Sequence, residues 1–186
     1  MKDPYANHRG SIIRRVRKSK NMTLVDLAEK IGLSLSHISQ VERGITNPSI
    51  NSLRKIALAL GIPMSLFFQE GSSINGPVVR KNERAILVNS NSRLTYQLLS
   101  LDPNRNIELL LTILKVGGTS AESLMTHKGE EAALVLQGES RFDLGENNYD
   151  LKEGDSIYIN ENLPHKFTNT GKVPLVIISA ISPPGF

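Results

Sequence analysis

Cysteine is absent from the 186 residues, which excludes disulfides and thiolate-held metals. No run approaches the ~20 apolar residues that a membrane-crossing helix requires. The opening MKDPYANHRGSII lacks the apolar core of a secretory leader. With 39% hydrophobic and 22% charged residues, the composition is that of an ordinary soluble protein. No membrane partner is expected, and the expected location is the cytoplasm. Acid is scarce in one half only: residues 1–70 hold 11 Lys and Arg against 5 Asp and Glu, while residues 71–186 hold 11 against 13, so +6 and −2 make up the net +4. A basic front of this kind suits nucleic acid through phosphate neutralisation and equally suits a solvated face, so charge alone decides nothing.

Residues 22–44, MTLVDLAEKIGLSLSHISQVERG, read as two short helices joined by a tight turn. Thr23 is placed to cap the first, with Asp26 at the capping-box position, and Leu24, Leu27, Ala28 and Ile31 form its apolar face. Gly32 supplies the positive φ of a sharp helix end, and Ser34 caps a second helix from Leu35. In that helix Ile38 and Val41 point inward, while Ser36, His37, Gln40 and Arg43 make a polar outer face almost free of acid. Small Ala28 permits the close crossing that so short a turn demands.

The flanking segments extend the pattern. Residues 8–20, HRGSIIRRVRKSK, form a helix with Ile12, Ile13 and Val16 inward and Arg9, Arg14, Arg15, Lys18 and Lys20 outward. Asn47 and Pro48 make a turn, Ser49 caps the helix INSLRKIALAL, Gly61 ends it, and Pro63 opens a last short helix in which Leu66 and Phe67 close the base. Over residues 9–68 the order RxxRK, helix pair, ERGxxNPS and LRKIALALGIPMSLFF resembles the Cro/phage-repressor type of helix-turn-helix, also called XRE. The resemblance implies a five-helix bundle that binds double-stranded DNA. It implies an ion pair between Arg17 and Glu42 tying the first helix to the recognition helix. Ser36, His37 and Gln40 would face base edges and Arg43 a phosphate, with Thr23, Leu35, Ser39 and Asn47 completing the DNA-facing set. Leu24 stands where many phage repressors carry a phosphate-binding glutamine.

Residues 69–76 change texture to a stretch with little apolar content, read as a linker between a domain at 8–68 and one at 77–186, with a short strand expected in NGPVVRKNER. Beyond it AILV, LTYQLLSL, IELLLTIL, AALVLQG, SIYI and PLVIISAI are short, rich in Val, Ile and Leu, and separated by turn residues. This spacing predicts an all-β sandwich or barrel with no room for crossover helices. DLGENN is a hairpin candidate.

Within the β half, GTSAESLMTHKGEEAALVLQG (118–138) and GDSIYINENLPHKFTN (154–169) resemble the two motifs of the cupin, a double-stranded β-helix or jelly-roll barrel. His127, Glu131 and Gly138 fit the first motif, with Met125 where its first histidine would stand. Gly154, His165 and Asn169 fit the second, with Asn160 and Asn162 replacing its proline and glycine. Cupins hold a divalent metal with three histidines and a carboxylate. A thioether is a poor donor to a hard divalent ion, so the expectation is an effector pocket of Met125, His127, Glu131 and His165 with no resident metal. Should a divalent metal be held, His127, Glu131 and His165 would hold it.

A DNA-reading head linked to a small-molecule barrel is identified as a member of the XRE-cupin regulators. That implies a transcriptional regulator whose affinity is set by an effector in the barrel, a homodimer, and a palindromic operator. The competing class is a metal-dependent cupin isomerase or dioxygenase with a helical appendage, against which the missing ligand and the lack of an evident nucleophile weigh. A third is a repressor whose barrel only dimerises.

Overall fold

The computed structural model describes residues 6–68, 77–89, 93–102 and 104–184. The chain divides into two compact units, Met1–Pro77 and Val78–Phe186. The linker read at 69–76 lies outside the described residues.

The first unit is built from α1 (Ala6–Ser19), α2 (Leu24–Ile31), α3 (Leu35–Glu42) and α4 (Ile50–Leu60), followed by a 3-10 turn at Met64–Phe68. Among the described residues the bundle therefore has four α-helices rather than five. After Pro63 only five residues remain in the helix, and they close with an i→i+3 bond from Leu66 N–H to the Pro63 carbonyl at 3.2 Å, too short a segment to establish an α-helical ladder. The caps form as the sequence indicates. Thr23 Oγ1 accepts from Asp26 N–H at 3.1 Å while Asp26 accepts from Thr23 N–H at 2.7 Å. Ser34 and Ser49 cap α3 and α4, and Gly32 sits at φ 67°, where any β-carbon would be strained. Ile13, Leu27, Ile38, Ile56, Leu60 and Phe67 meet in the core, fully buried.

One position in α1 departs from the sequence reading: Arg9 is buried rather than outward. Gly10, beside it, faces the end of α3: a β-carbon there would overlap the carbonyl oxygens of Val41 and Glu42. The missing side chain is what lets α1 lie against α3.

The second unit contains, among the described residues, β1 (Ala85–Asn89), β2 (Leu94–Leu98), β3 (Glu108–Leu114), β4 (Glu130–Gln137), β5 (Glu139–Leu144), β6 (Asn147–Lys152), β7 (Ser156–Ile159), β8 (His165–Asn169) and β9 (Leu175–Ser182). All pairings are antiparallel, in a six-stranded sheet ordered β1-β2-β3-β9-β4-β7 and a three-stranded sheet ordered β6-β5-β8. Instead of a strand before β1, residues 81–83 form a 3-10 turn, Lys81–Glu83. The DLGENN segment is the expected hairpin, with Leu144 paired to Asn147 across Gly145 and Glu146. Burial alternates along the large sheet: on β3 Leu110, Thr112 and Leu114 are inside, and on β9 Leu175, Ile177, Ser179 and Ile181 are inside. Period-two alternation thus sends one set of side chains into the core and leaves the other on the outer face.

Candidate functional site

The first candidate is the outer face of α3. Ile38 and Val41 anchor the helix in the core, leaving Ser36 and Arg43 exposed and His37, Ser39 and Gln40 half-exposed on the opposite side. Leu35 is 47% exposed at the start of α3. Thr23 and Asn47 are exposed outside α3, Thr23 with its oxygen engaged in the cap of α2 and Asn47 in the turn after the helix. Arg43 Nε donates back to the Ser39 carbonyl at 3.2 Å, holding the guanidinium along the helix end. Gln40 Oε1 accepts from Thr46 Oγ1 at 3.1 Å, which fixes the amide's orientation. Thr46 had no signature in the sequence, because its role depends on the loop folding back over α3. Behind this face Arg17 and Glu42 pair as the resemblance implied. Arg17 Nε and Nη2 donate to the two Glu42 oxygens at 2.6 and 2.9 Å, and Nη1 donates to the Met22 carbonyl at 2.6 Å. The hydrogen bond to Glu42 raises the Arg17 pKa against the desolvation that would lower it.

The second candidate lies in the barrel, where His127, Glu131 and His165 are all buried and their donor atoms lie within 4.8 Å of one another. Glu131 lies on β4 and His165 begins β8. Met125 joins through its backbone: its N–H donates to the His165 carbonyl at 3.0 Å, and the His165 N–H donates to the Met125 carbonyl at 2.9 Å. Phe142 stacks on the His165 ring with centroids 6.2 Å apart, and the two imidazoles meet edge to face at 4.9 Å.

The hydrogen bonds of the two histidines fix more than position. His127 Nδ1 donates to the Lys128 carbonyl at 3.1 Å and His165 Nδ1 to the Leu163 carbonyl at 2.9 Å, since a carbonyl only accepts. In the neutral imidazole this leaves each Nε2 as a lone pair. His127 Nε2 is 2.9 Å and His165 Nε2 3.9 Å from Glu131 Oε2. Two acceptors at 2.9 Å repel unless a proton or a cation lies between them. The donor set therefore fits a divalent cation: two imidazole nitrogens and a carboxylate, with each imidazole oriented by a backbone carbonyl behind it. Burial pushes the Glu131 carboxyl up; with the proton rather than a metal ion between His127 and Glu131, the hydrogen bonds from His127 and Ser179 and the positive charge of protonated imidazoles together hold that carboxyl below its usual range.

Ser179 was missed in the sequence, although a serine among inward-facing apolar residues of PLVIISAI is a visible irregularity. Asn169, by contrast, is structural. Its Nδ2 donates to the Leu114 and Val173 carbonyls at 3.0 and 2.9 Å and its Oδ1 accepts from Gly171 N–H at 2.9 Å, so the β8–β9 turn uses the side chain fully. A cleft of about 660 Å³ bounded by Gln137, Glu139, Lys152, Glu153, Thr170 and Lys172 shares no residue with the triad and brings no buried titratable group into play.

Residues 13–67 match the helix-turn-helix family model and residues 110–181 the cupin domain model. The chain is 30% identical over 178 residues to the HTH-type transcriptional regulator PuuR of Escherichia coli (strain K12), covering 95% of this chain and 96% of the relative. A crystal structure of an HTH_3 family transcriptional regulator from Vibrio cholerae superposes with a TM-score of 0.74 at 22% identity, covering 96% of each chain. Hydroxypropylphosphonic acid epoxidase from S. wedmorenis is similar in fold, with a TM-score of 0.50 at 21% identity over 95% of this chain and 97% of that one.

Proposed function

The chain belongs to the family of HTH-type transcriptional regulators, with a cupin domain following the helix-turn-helix, and on that premise we propose how its two units divide the work. It regulates transcription by binding DNA. The observation that carries the reading of the DNA-facing residues is α3 itself, capped, anchored by Ile38 and Val41, and presenting Ser36, Gln40 and Arg43 outward. In the major groove Ser36, His37 and Gln40 reach base edges, with Gln40 held by Thr46 as the principal reader, while Arg43 takes a phosphate. Thr23, Leu35, Ser39 and Asn47 form the surrounding contact surface. One such head makes few base contacts, so the operator is palindromic and is read by a homodimer with half-sites about 34 Å apart. No helix among the described residues is long and apolar enough to cross a membrane, and the protein acts in the cytoplasm.

The barrel triad is the effector site. His127, Glu131 and His165, walled by Phe142 and flanked by Met125, form a buried polar cluster against apolar surface, the composition of a small-molecule pocket. A divalent cation held by the same three side chains would leave coordination positions open to an effector's own donors. The effector regulates by binding the DNA-competent and incompetent arrangements unequally.

Operator selection from a random-sequence pool tests the head. Gln40→Ala relaxes preference at one base pair by about 1–3 kcal/mol, roughly 5- to 150-fold, whereas Arg43→Ala weakens all sequences alike. Unchanged operator ranking in Gln40→Ala sinks the assignment. For the barrel, metal content by mass spectrometry and operator affinity are measured with and without chelator, in wild type, His165→Ala and Glu131→Gln. If neither substitution alters metal content or effector response, the triad is only a satisfied polar core. Turnover of a substrate with stoichiometric metal would place the chain among the cupin enzymes instead.

A further inference from the structure

One side chain on α3 is not explained by its polar neighbours. Ser36, His37, Ser39, Gln40 and Arg43 stand on the outer side of this helix, and each can donate or accept a hydrogen bond. Leu35 stands beside them and can do neither. It adds little to the core, which α3 enters through the buried Ile38 and Val41, for it is 47% exposed. The other large apolar side chains exposed in the helical unit, among its described residues, are Val25, Ile45 and Leu58. Val25 and Leu58 belong to α2 and α4, and Ile45 follows the end of α3. Leu35 alone is on α3 itself, at its first position.

We propose that Leu35 reads the C5 methyl of one thymine in each half-site of the operator. The inference deepens the DNA-binding reading above and rests on it. Position is the first ground. Residues in the first turn of a helix lying in the major groove are the ones that reach base edges, and every Cα–Cβ bond of a helix tilts towards its N-terminus. That turn of α3 is held by Ser34, whose hydroxyl accepts from the His37 N–H at 3.3 Å, so Leu35 is presented from a capped end. Chemistry then names the partner. Base pairs offer the major groove donors and acceptors of hydrogen bonds and one apolar group, the C5 methyl of thymine. A leucine set against any other edge strips water from a polar group and returns no hydrogen bond. Phosphate is excluded for the same reason. Cytosine at this position is disfavoured twice, by the missing methyl and by an amino donor buried without an acceptor. Ile45 is more exposed, at 64%, but it follows the last turn of α3, away from the end that enters the groove. It serves as the comparison.

Replacing thymine by deoxyuridine removes the methyl and leaves every hydrogen-bonding group of the base pair in place. An operator obtained by selection is scanned one thymine at a time, and the dissociation constant of the full chain is read by fluorescence anisotropy at fixed salt. At one thymine per half-site the change is expected to weaken binding about 4-fold, the contribution of a single buried methyl or methylene group. With both half-sites changed the loss is about 15-fold. Leu35→Ala binds the thymine and deoxyuridine operators alike at that position and keeps its preferences elsewhere, while Ile45→Ala retains the full penalty. The scan itself needs only the wild-type chain, so it decides the matter even where a variant fails to fold. A chain that selects an operator yet is indifferent to deoxyuridine at every thymine overturns the proposal and leaves the DNA-binding reading standing. A penalty that survives Leu35→Ala, or disappears in Ile45→Ala, also overturns it, because another side chain then holds the methyl. A chain that selects no operator overturns both.

Discussion

Replacing Glu42 by alanine tests whether α1 is tied to α3 by a buried ion pair. The Arg17 and Glu42 side chains are 8% and 5% exposed, and the guanidinium meets both carboxylate oxygens. Truncation leaves Arg17 with the Met22 carbonyl as its remaining acceptor among these contacts and two donors facing a protein interior. Removing one partner of a buried pair costs about 3–5 kcal/mol, because the other charge stays behind unpaired. A helical unit of ~60 residues has a total stability of roughly 3–9 kcal/mol at typical values per residue. The loss is therefore about a third or more of what holds the head together. At about 4–8 °C per kcal/mol for a domain this size, the helical transition falls by at least ~12 °C. Circular dichroism at 222 nm on the full chain follows it, since the helices dominate that signal and the barrel is β. Arg17→Met combined with Glu42→Leu recovers much of the loss, because an apolar pair leaves no charge stranded. A Glu42→Ala protein melting within 2 °C of wild type, a margin well below the ~4 °C expected for 1 kcal/mol, would refute the reasoning.

Gly10→Ala gains up to about 1 kcal/mol of helix propensity yet drives a β-carbon into the Val41 and Glu42 carbonyls, so a net loss within the ~1–3 kcal/mol of overpacking is expected in urea titration; an unchanged midpoint would mean that α1 does not press on α3. The Asp26 carboxyl is held below its usual range by the Thr23 N–H and hydroxyl. A depressed folded-state pKa contributes stability above the ordinary carboxylate value that is lost as pH falls through the folded one, so the helical urea midpoint declines on acidification below about pH 4, less so in Asp26→Asn. Parallel pH curves for the two proteins count against the cap. Ser179→Ala removes a donor from Glu131 and is expected to weaken zinc or manganese binding by roughly 10- to 100-fold in calorimetry; equal affinity would show that Ser179 does not orient the carboxylate.

The helical head was legible because its signals are local. Thr23 with Asp26, Ser34 before Leu35, and Gly32 between them are all decided within a few residues, and each forms as read. What escaped notice depends on approach between elements distant in sequence. Gly10 matters only because α1 meets the end of α3, Thr46 because a loop returns over Gln40, and the burial of Arg9 is invisible from a run of basic residues. The fifth helix was over-read: Pro63 marks a start, but nothing in MSLFF says how many turns follow. In the barrel, alternation tells which side chains share a face and is silent on which strands are neighbours. Ser179 reaches Glu131 because β9 lies beside β4, an adjacency of strands some forty residues apart that no spacing encodes.

The triad shows the same limit in chemical form. Counting ligands in the sequence weighs three donors and a thioether against the usual four, and Met125 dominates that judgement. In the structure Met125 enters through two backbone hydrogen bonds to His165, and the decisive groups are the carbonyls of Lys128 and Leu163, which no motif specifies. By accepting from each Nδ1 they turn both Nε2 atoms toward one carboxylate oxygen, and His127 Nε2 at 2.9 Å requires a positive charge between itself and Glu131. On the proposal that the triad holds the effector, a ligand bearing its own cation replaces the proton between His127 and Glu131, while a neutral ligand fits beside that proton, so the orientation of two imidazoles weighs more than the number of histidines.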